Sequence, residues 1–230
     1  MNIPVYVCTS DKYLKYMRPF AYLFNKYWSS LQGVTVIGYQ PPDFELPPNF
    51  KFFSAGEDKG QNHWTDGVIK ALQAIDDELL VLLLDDYWLT RTADVGGVAS
   101  LADYVAEHKR VLRMDLTTDR LYSGRMFEVE GWGHYDIIET PHGTPYQMSL
   151  QAAIWRRKLL LDLLKPGKSP WQVELEGESQ PAPEMRVLGT RQNPVKYANV
   201  FKGGDLGPLL NLDQIPAEHI EHMKGQGWLD

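Results

Sequence analysis

Six consecutive apolar residues, Leu79–Leu84 (LLVLLL), run straight into two adjacent carboxylates, Asp85 and Asp86. A strand covered on one face alternates apolar and polar positions. An unbroken apolar run that stops sharply at charge predicts a strand buried on both faces, as in a mostly parallel sheet with helices on either side. The run is far shorter than the ~20 residues a membrane-spanning helix needs. Other segments fit the same plan. Residues 4–9, 34–39, 50–53 and 111–116 read as strands, with weaker strand signals at 126–129, 187–189 and 195–201. Tyr13, Met17, Phe20, Phe24 and Tyr27 recur at helical spacing, with Pro19 suited to a first turn. Further helices are expected behind Thr65 as N-cap, behind Asp94 (98–108), behind Ser149 (150–164), and at 216–224 with Pro216 at the first position. This alternation predicts one α/β domain with halves near 1–115 and 116–230.

Composition excludes other classes. At 43% hydrophobic residues with 7 Trp, 12 Tyr and 8 Phe, the 230-residue chain can fill a core and is not disordered. The single cysteine, Cys8, lies inside a strand and rules out a disulfide scaffold or a cysteine-rich zinc module. A net charge of −7 counts against a protein that coats nucleic acid through phosphate contacts. Met1-Asn2-Ile3-Pro4 has no charged, long-apolar leader, so a cytoplasmic location without a membrane span is expected. His219 and His222, three apart with no third ligand evident, read as surface residues.

Ligands of open α/β sheets bind beyond the carboxyl ends of the strands. Three polar clusters follow predicted strands: Thr9-Ser10-Asp11, residues 54–59, and Asp85-Asp86. Adjacent carboxylates on a buried strand repel each other and resist desolvation. An Mg²⁺ or Mn²⁺ ion relieves both problems, because these ions take oxygen ligands from one or two carboxylates plus phosphate. The bland alternative is a turn-forming aspartate pair.

With these residues in view, the chain resembles small GT-A fold glycosyltransferases of bacterial and phage type. LLLDDYWL (82–89) is similar to the family's acidic metal motif after a central strand, with Tyr87 where a third aspartate would stand. Gly56-Glu57-Asp58 with Trp64 and Asp66, YQMSLQAAIW (146–155), and Pro170-Trp171-Gln172-Val173-Glu174 resemble further elements of that group, in order, over roughly residues 3–205. The resemblance implies a nucleotide-sugar-binding first half and an acceptor-binding second half. It implies that Thr9, Asp11, Asp58, Trp64 and Asp85 contact a nucleoside diphosphate sugar, a UDP-sugar first among them, and that Asp86 binds Mn²⁺ or Mg²⁺ with the diphosphate. Lys202 would reach the leaving diphosphate.

An inverting sugar transfer needs a base for the acceptor hydroxyl. Glu174, Glu176 and Glu178 are the candidates, and would share one face if VELEGES were a strand; the resemblance favours Glu174. Gln151, Trp171 and Arg156 would contact the acceptor, a glycan or lipid-linked saccharide. The rivals are a transferase acting on hydroxymethylated DNA bases, a nucleotidyltransferase, and a non-catalytic carbohydrate-binding protein.

Overall fold

Strands β1 (Val5–Cys8) and β4 (Leu79–Leu84) pair in parallel at the centre of the sheet, and their side chains divide strictly between its two faces. Val5, Val7, Leu79, Val81 and Leu83 enter one apolar cluster; Tyr6, Cys8, Leu80 and Leu82 enter the other. This is the period-two geometry of a strand applied to a segment covered on both sides, and it explains why β4 has no polar position until it ends. In the computed structural model, which describes residues 3–177, 180–201 and 207–229, nine strands form one mixed sheet in the order β3-β2-β1-β4-β9-β6-β10-β8-β7.

Here β2 is Val34–Gly38, β3 Phe50–Ser54, β6 Val111–Asp115, β7 Phe127–Trp132, β8 Tyr135–Glu139, β9 Ala153–Arg156 and β10 Arg186–Thr190. From β3 to β4 all neighbours are parallel. Strand β9 runs antiparallel between β4 and β6. A separate ribbon pairs β5 (Tyr87–Leu89) with β11 (Tyr197–Asn199). One face carries α1 (Met17–Phe24), continued by a π-helical turn (Asn25–Ser29), and α3 (Val95–Glu107). The other carries α2 (Trp64–Gln73), α5 (Arg157–Leu163) and α6 (Pro170–Leu175). The short α4 (Asp119–Tyr122) follows β6, and α7 (Ala217–Gly225) closes the described chain.

The expected α/β sheet flanked by helices is thus present, and β4 and the Asp94 cap of α3, which accepts from the Gly97 N–H at 2.9 Å, stand where expected. Several local expectations are corrected. Residues 150–164 are not one helix: 153–156 form β9, because Ile154 and Trp155 are needed between β4 and β6, and helix begins only at Arg157. Pro170–Leu175 form a helix, so the strand alternative for VELEGES does not hold over 173–175. Ser169 and Gln172 form a reciprocal capping box with Pro170 at the first position, so Glu174 and Glu176 leave in different directions. Helix α2 starts at Trp64, with Thr65 buried in its first turn and hydrogen-bonded to Lys168 rather than capping. Pro216 precedes α7 as its cap. His219 is buried, with Nδ1 2.8 Å from the Tyr22 hydroxyl and its pKa lowered by desolvation, so it is not a surface residue.

Candidate functional site

A cavity of about 760 Å³ opens along the edge of the sheet where β1 and β4 end. Because β9 is antiparallel, the segment entering it, Ser149–Gln151, lies at this same edge and forms the opposite wall with α6. Strand order therefore brings together residues far apart in the chain.

The acidic pair sits on the turn between β4 and β5. The Asp85 N–H donates to the Cys8 carbonyl (3.1 Å), and the Trp88 indole donates to the Asp85 carbonyl (3.1 Å). The Val200 N–H donates to the Asp86 carbonyl (2.9 Å). These backbone bonds fix the turn and leave the carboxylates to the cavity. Asp85 is buried and accepts from the Thr9 hydroxyl at 2.6 Å; burial nonetheless pushes its pKa up to about 7. Asp86 is pushed up by burial, by Asp85, and by Glu174. Its Oδ1 is buried and, among the described residues, has no hydrogen-bond partner. A buried polar atom left unpaired is costly, and here it belongs to a group already opposed by neighbouring charge.

Glu174 faces this pair from α6. Its Oε1 accepts from the Leu150 N–H at 2.7 Å, and burial raises its pKa while that N–H and Arg113 pull the other way. Gln151, also in the wall, is held by the Tyr197 hydroxyl (2.7 Å to Oε1); Tyr197 stacks on Tyr87 at 4.2 Å. Of the residues expected to form the site, Thr9, Asp58, Trp64, Asp85, Asp86, Gln151, Trp171 and Glu174 line the cavity.

Among the described residues, two expected ones do not. Asp11 ties loops together: its carboxylate accepts from the Gln40 N–H (2.9 Å), and its own N–H donates to Asp58 (3.3 Å). Arg156 is removed from the acceptor set. It is buried on β9, where its guanidinium donates to the Val111 and Val105 carbonyls and to Glu78, joining β4, β6 and α3. Lys202 lies outside the described residues, as does Glu178. Glu176 accepts from Lys168 (2.6 Å) and Gln172 (2.9 Å), so Glu174 is the member of the trio in the cavity wall among the described residues.

The structure adds Asp119 and Tyr146. Behind them lies a buried charge network. Arg113 and Arg120 both donate to Asp115, and Arg120 also donates to Asp119 (2.8 Å), Thr140 (3.2 Å) and the Tyr146 carbonyl (2.6 Å). Asp119 had a legible signal. It lies just past a strand ending in Asp115, as Asp86 lies just past β4.

Among the described residues five carboxylates (Asp58, Asp85, Asp86, Asp119, Glu174) and one lysine, Lys12, line the cavity. No three His, Cys, Asp or Glu among the described residues are grouped to hold a metal ion by themselves. The donor chemistry nevertheless suits a hard divalent ion. Asp86 offers an unpaired oxygen, and one or two carboxylates completed by phosphate oxygens and water are a common Mg²⁺ arrangement.

No family model matches the sequence, and no curated protein matches it. Solved structures do. The chain is similar to S. aureus TarS 1-349, with a TM-score of 0.50 and 16% identity over 86% of this chain and 59% of that one. The TarS 1-349 complex with UDP-GlcNAc matches with a TM-score of 0.47 and 15% identity, over 86% and 57%. Apo UDP-glucose pyrophosphorylase matches with a TM-score of 0.47 and 9% identity, over 97% and 99%. The chain spans less than three fifths of the length of these TarS structures. At 16% identity the likeness to TarS 1-349 carries the fold alone, and that fold is a GT-A-like α/β sheet flanked by helices.

Proposed function

We propose that the protein is a glycosyltransferase that moves a sugar from a nucleoside diphosphate sugar, a UDP-sugar first among the candidates, to an acceptor hydroxyl. One observation carries the reading: Asp86, with an unpaired buried oxygen at the mouth of a central strand, and Glu174, whose charge it feels, line one cavity. In this reading Thr9, Asp58, Trp64 and Asp85 border the donor, with Asp11 shaping the loop beside them. Gln151 and Trp171 border the acceptor. The halves near 1–115 and 116–230 divide in the same way.

Asp86 would hold Mn²⁺ or Mg²⁺ together with the diphosphate. When bound, such an ion neutralises charge on the leaving diphosphate. Glu174 takes the proton of the acceptor hydroxyl as its oxygen bonds to the anomeric carbon and the carbon–oxygen bond to the diphosphate breaks. The Leu150 N–H fixes one carboxylate oxygen and leaves the other for that proton. A base on the acceptor side opposite the leaving group favours inversion.

A nucleotidyltransferase would bring a triphosphate and commonly a second phosphorylated substrate into the site. Five carboxylates against one lysine among the described lining residues suit a less charged substrate pair. The same balance weighs against a DNA acceptor.

The test is calorimetry with UDP, with and without Mn²⁺, followed by a screen of nucleotide sugars for hydrolysis and transfer by mass spectrometry. Metal-dependent UDP binding that disappears in Asp86→Ala is expected. Binding unchanged in that variant removes the metal assignment, and release of pyrophosphate from a nucleoside triphosphate moves the protein to the nucleotidyltransferases.

A further inference from the structure

Tyr146 sits at φ +59°, in the left-handed region that glycine enters freely and a residue with a Cβ resists. It is 49% exposed and lines the cavity. Its backbone is held there from two sides. The Ser149 N–H donates to its carbonyl (3.0 Å), and so does Nη2 of Arg120, a fully buried residue (2.6 Å). The same Nη2 donates to Asp119 (2.8 Å), and Arg120 Nε donates to Asp115 (3.0 Å). One buried guanidinium thus locks Tyr146 and the cavity-lining Asp119 to the end of β6. Trp171, 38% exposed, is a second aromatic on the cavity, placed by the capped first turn of α6. A half-exposed ring adds little to the core, so core packing does not account for a strained backbone held by a buried arginine.

We propose that Tyr146 and Trp171 form the stacking surfaces of the acceptor site and that the acceptor is an uncharged saccharide; the proposal rests on the sugar-transfer reading above. The C–H faces of a sugar ring carry partial positive charge and sit well on the negative face of an aromatic ring. Sugar hydroxyls donate to carboxylates, which Asp119 and Glu174 supply beside the two rings. The same carboxylates repel a phosphate, so the wall selects against phosphorylated acceptors.

The test is saturation-transfer NMR on the full chain with UDP and Mg²⁺ present, titrating maltose, cellobiose, lactose and diacetylchitobiose as uncharged probes and glucose 6-phosphate and glycerol 3-phosphate as charged ones. At least one uncharged probe is expected to bind, at least tenfold more tightly than either phosphate. Tyr146→Gly is expected to lose at least ten times more affinity for that probe than for UDP, and Tyr146→Phe, which keeps the ring, to restore most of it. Because glycine relaxes the left-handed position, the melting temperature of Tyr146→Gly should not fall. Binding by none of the uncharged probes, equal or tighter binding of the phosphates, or saccharide affinity indifferent to Tyr146→Gly overturns the proposal. A fall in melting temperature does so too, since it makes Tyr146 a support of the fold. Should UDP itself fail to bind the unaltered protein, the sugar-transfer reading fails first, and the UDP titration separates the two cases.

Discussion

Glu174 and Asp85 are both carboxylates lifted by burial, and the lift has a different consequence for each. For Glu174 it makes a stronger base that must still be ionised to act. Transfer should therefore fall as pH drops through a value above the ordinary glutamate range, as a pH profile of kcat would show. Glu174→Gln keeps the shape and the bond from Leu150 but cannot take a proton. It should lower kcat by about 10²–10⁴-fold with UDP affinity retained by calorimetry; retained transfer would move the base elsewhere. For Asp85 the lift acts on stability. Its pKa is about 7 in the folded protein against 3.8 for the free side chain. Between those values the folded state holds a proton that the unfolded chain releases. This contribution is full at low pH, declines as pH rises from about 4 to 7, and then levels off, with a slope of at most about 1.4 kcal/mol per pH unit. Urea unfolding of the free protein at pH 5 and pH 7.5, beside Asp85→Asn, should show the variant losing less stability between the two. Equal losses would mean that Asp85 ionises normally.

At the scale of elements, legibility follows how much of the answer lies within a short stretch. Strand β4 was legible because burial on both faces removes every polar residue until the strand ends at Asp85. Its acidic pair was legible for the same reason. Strand β9 was not. Residues 150–164 are apolar at spacings a helix also satisfies, and what makes 153–156 extended is the gap between β4 and β6, which no local pattern encodes. Arg156 was misplaced with it: a cation expected to meet the acceptor from a helix turns out to be a buried clasp on β9. Tyr146 was missed because its place on the cavity depends on Arg120, whose partners are scattered from Asp115 to Tyr146. Helix α6 could have been read, since Ser169-Pro170-Trp171-Gln172 is a capping-box sequence with proline at the first position. That cap invites a test. Ser169→Ala should cost about 1 kcal/mol by urea unfolding, and because the six-residue helix carries both Trp171 and Glu174, kcat/KM should fall with it. A stability loss with kcat/KM intact would show that the helix holds its residues without the cap. Gly189 on β10 offers a second. A Cβ there would lie 2.7 Å from Arg120 Cγ, so Gly189→Ala must push the buried arginine aside. About 1–3 kcal/mol of destabilisation is expected, and an unchanged urea midpoint would show that Arg120 has room to move.

At the scale of the whole molecule, the −7 charge and the acidic cavity point the same way. The free protein gathers acidic groups at the edge of its sheet, where burial, Asp85 and Glu174 raise the cost of ionising Asp86. A ligand that brings a divalent cation lowers that cost only in the folded state, because the cavity exists only when β1, β4, β9 and α6 are assembled. Binding to the native state alone stabilises by RT ln(1 + [L]/Kd), about 2.7 kcal/mol at a hundredfold excess over Kd. For a chain of this size each kcal/mol moves the melting temperature by about 2–4 °C. UDP with Mn²⁺ at that excess should therefore raise it by about 5–11 °C. UDP with a chelator should raise it far less, since the diphosphate then meets the acidic wall with no cation between them. Mn²⁺ alone should give a small rise, because among the described residues no three ligands are grouped to hold it. A shift from UDP that is the same with chelator as with Mn²⁺ would mean that the cavity holds nucleotide through neutral contacts, and that the acids at the end of β4 serve the turn rather than a cation.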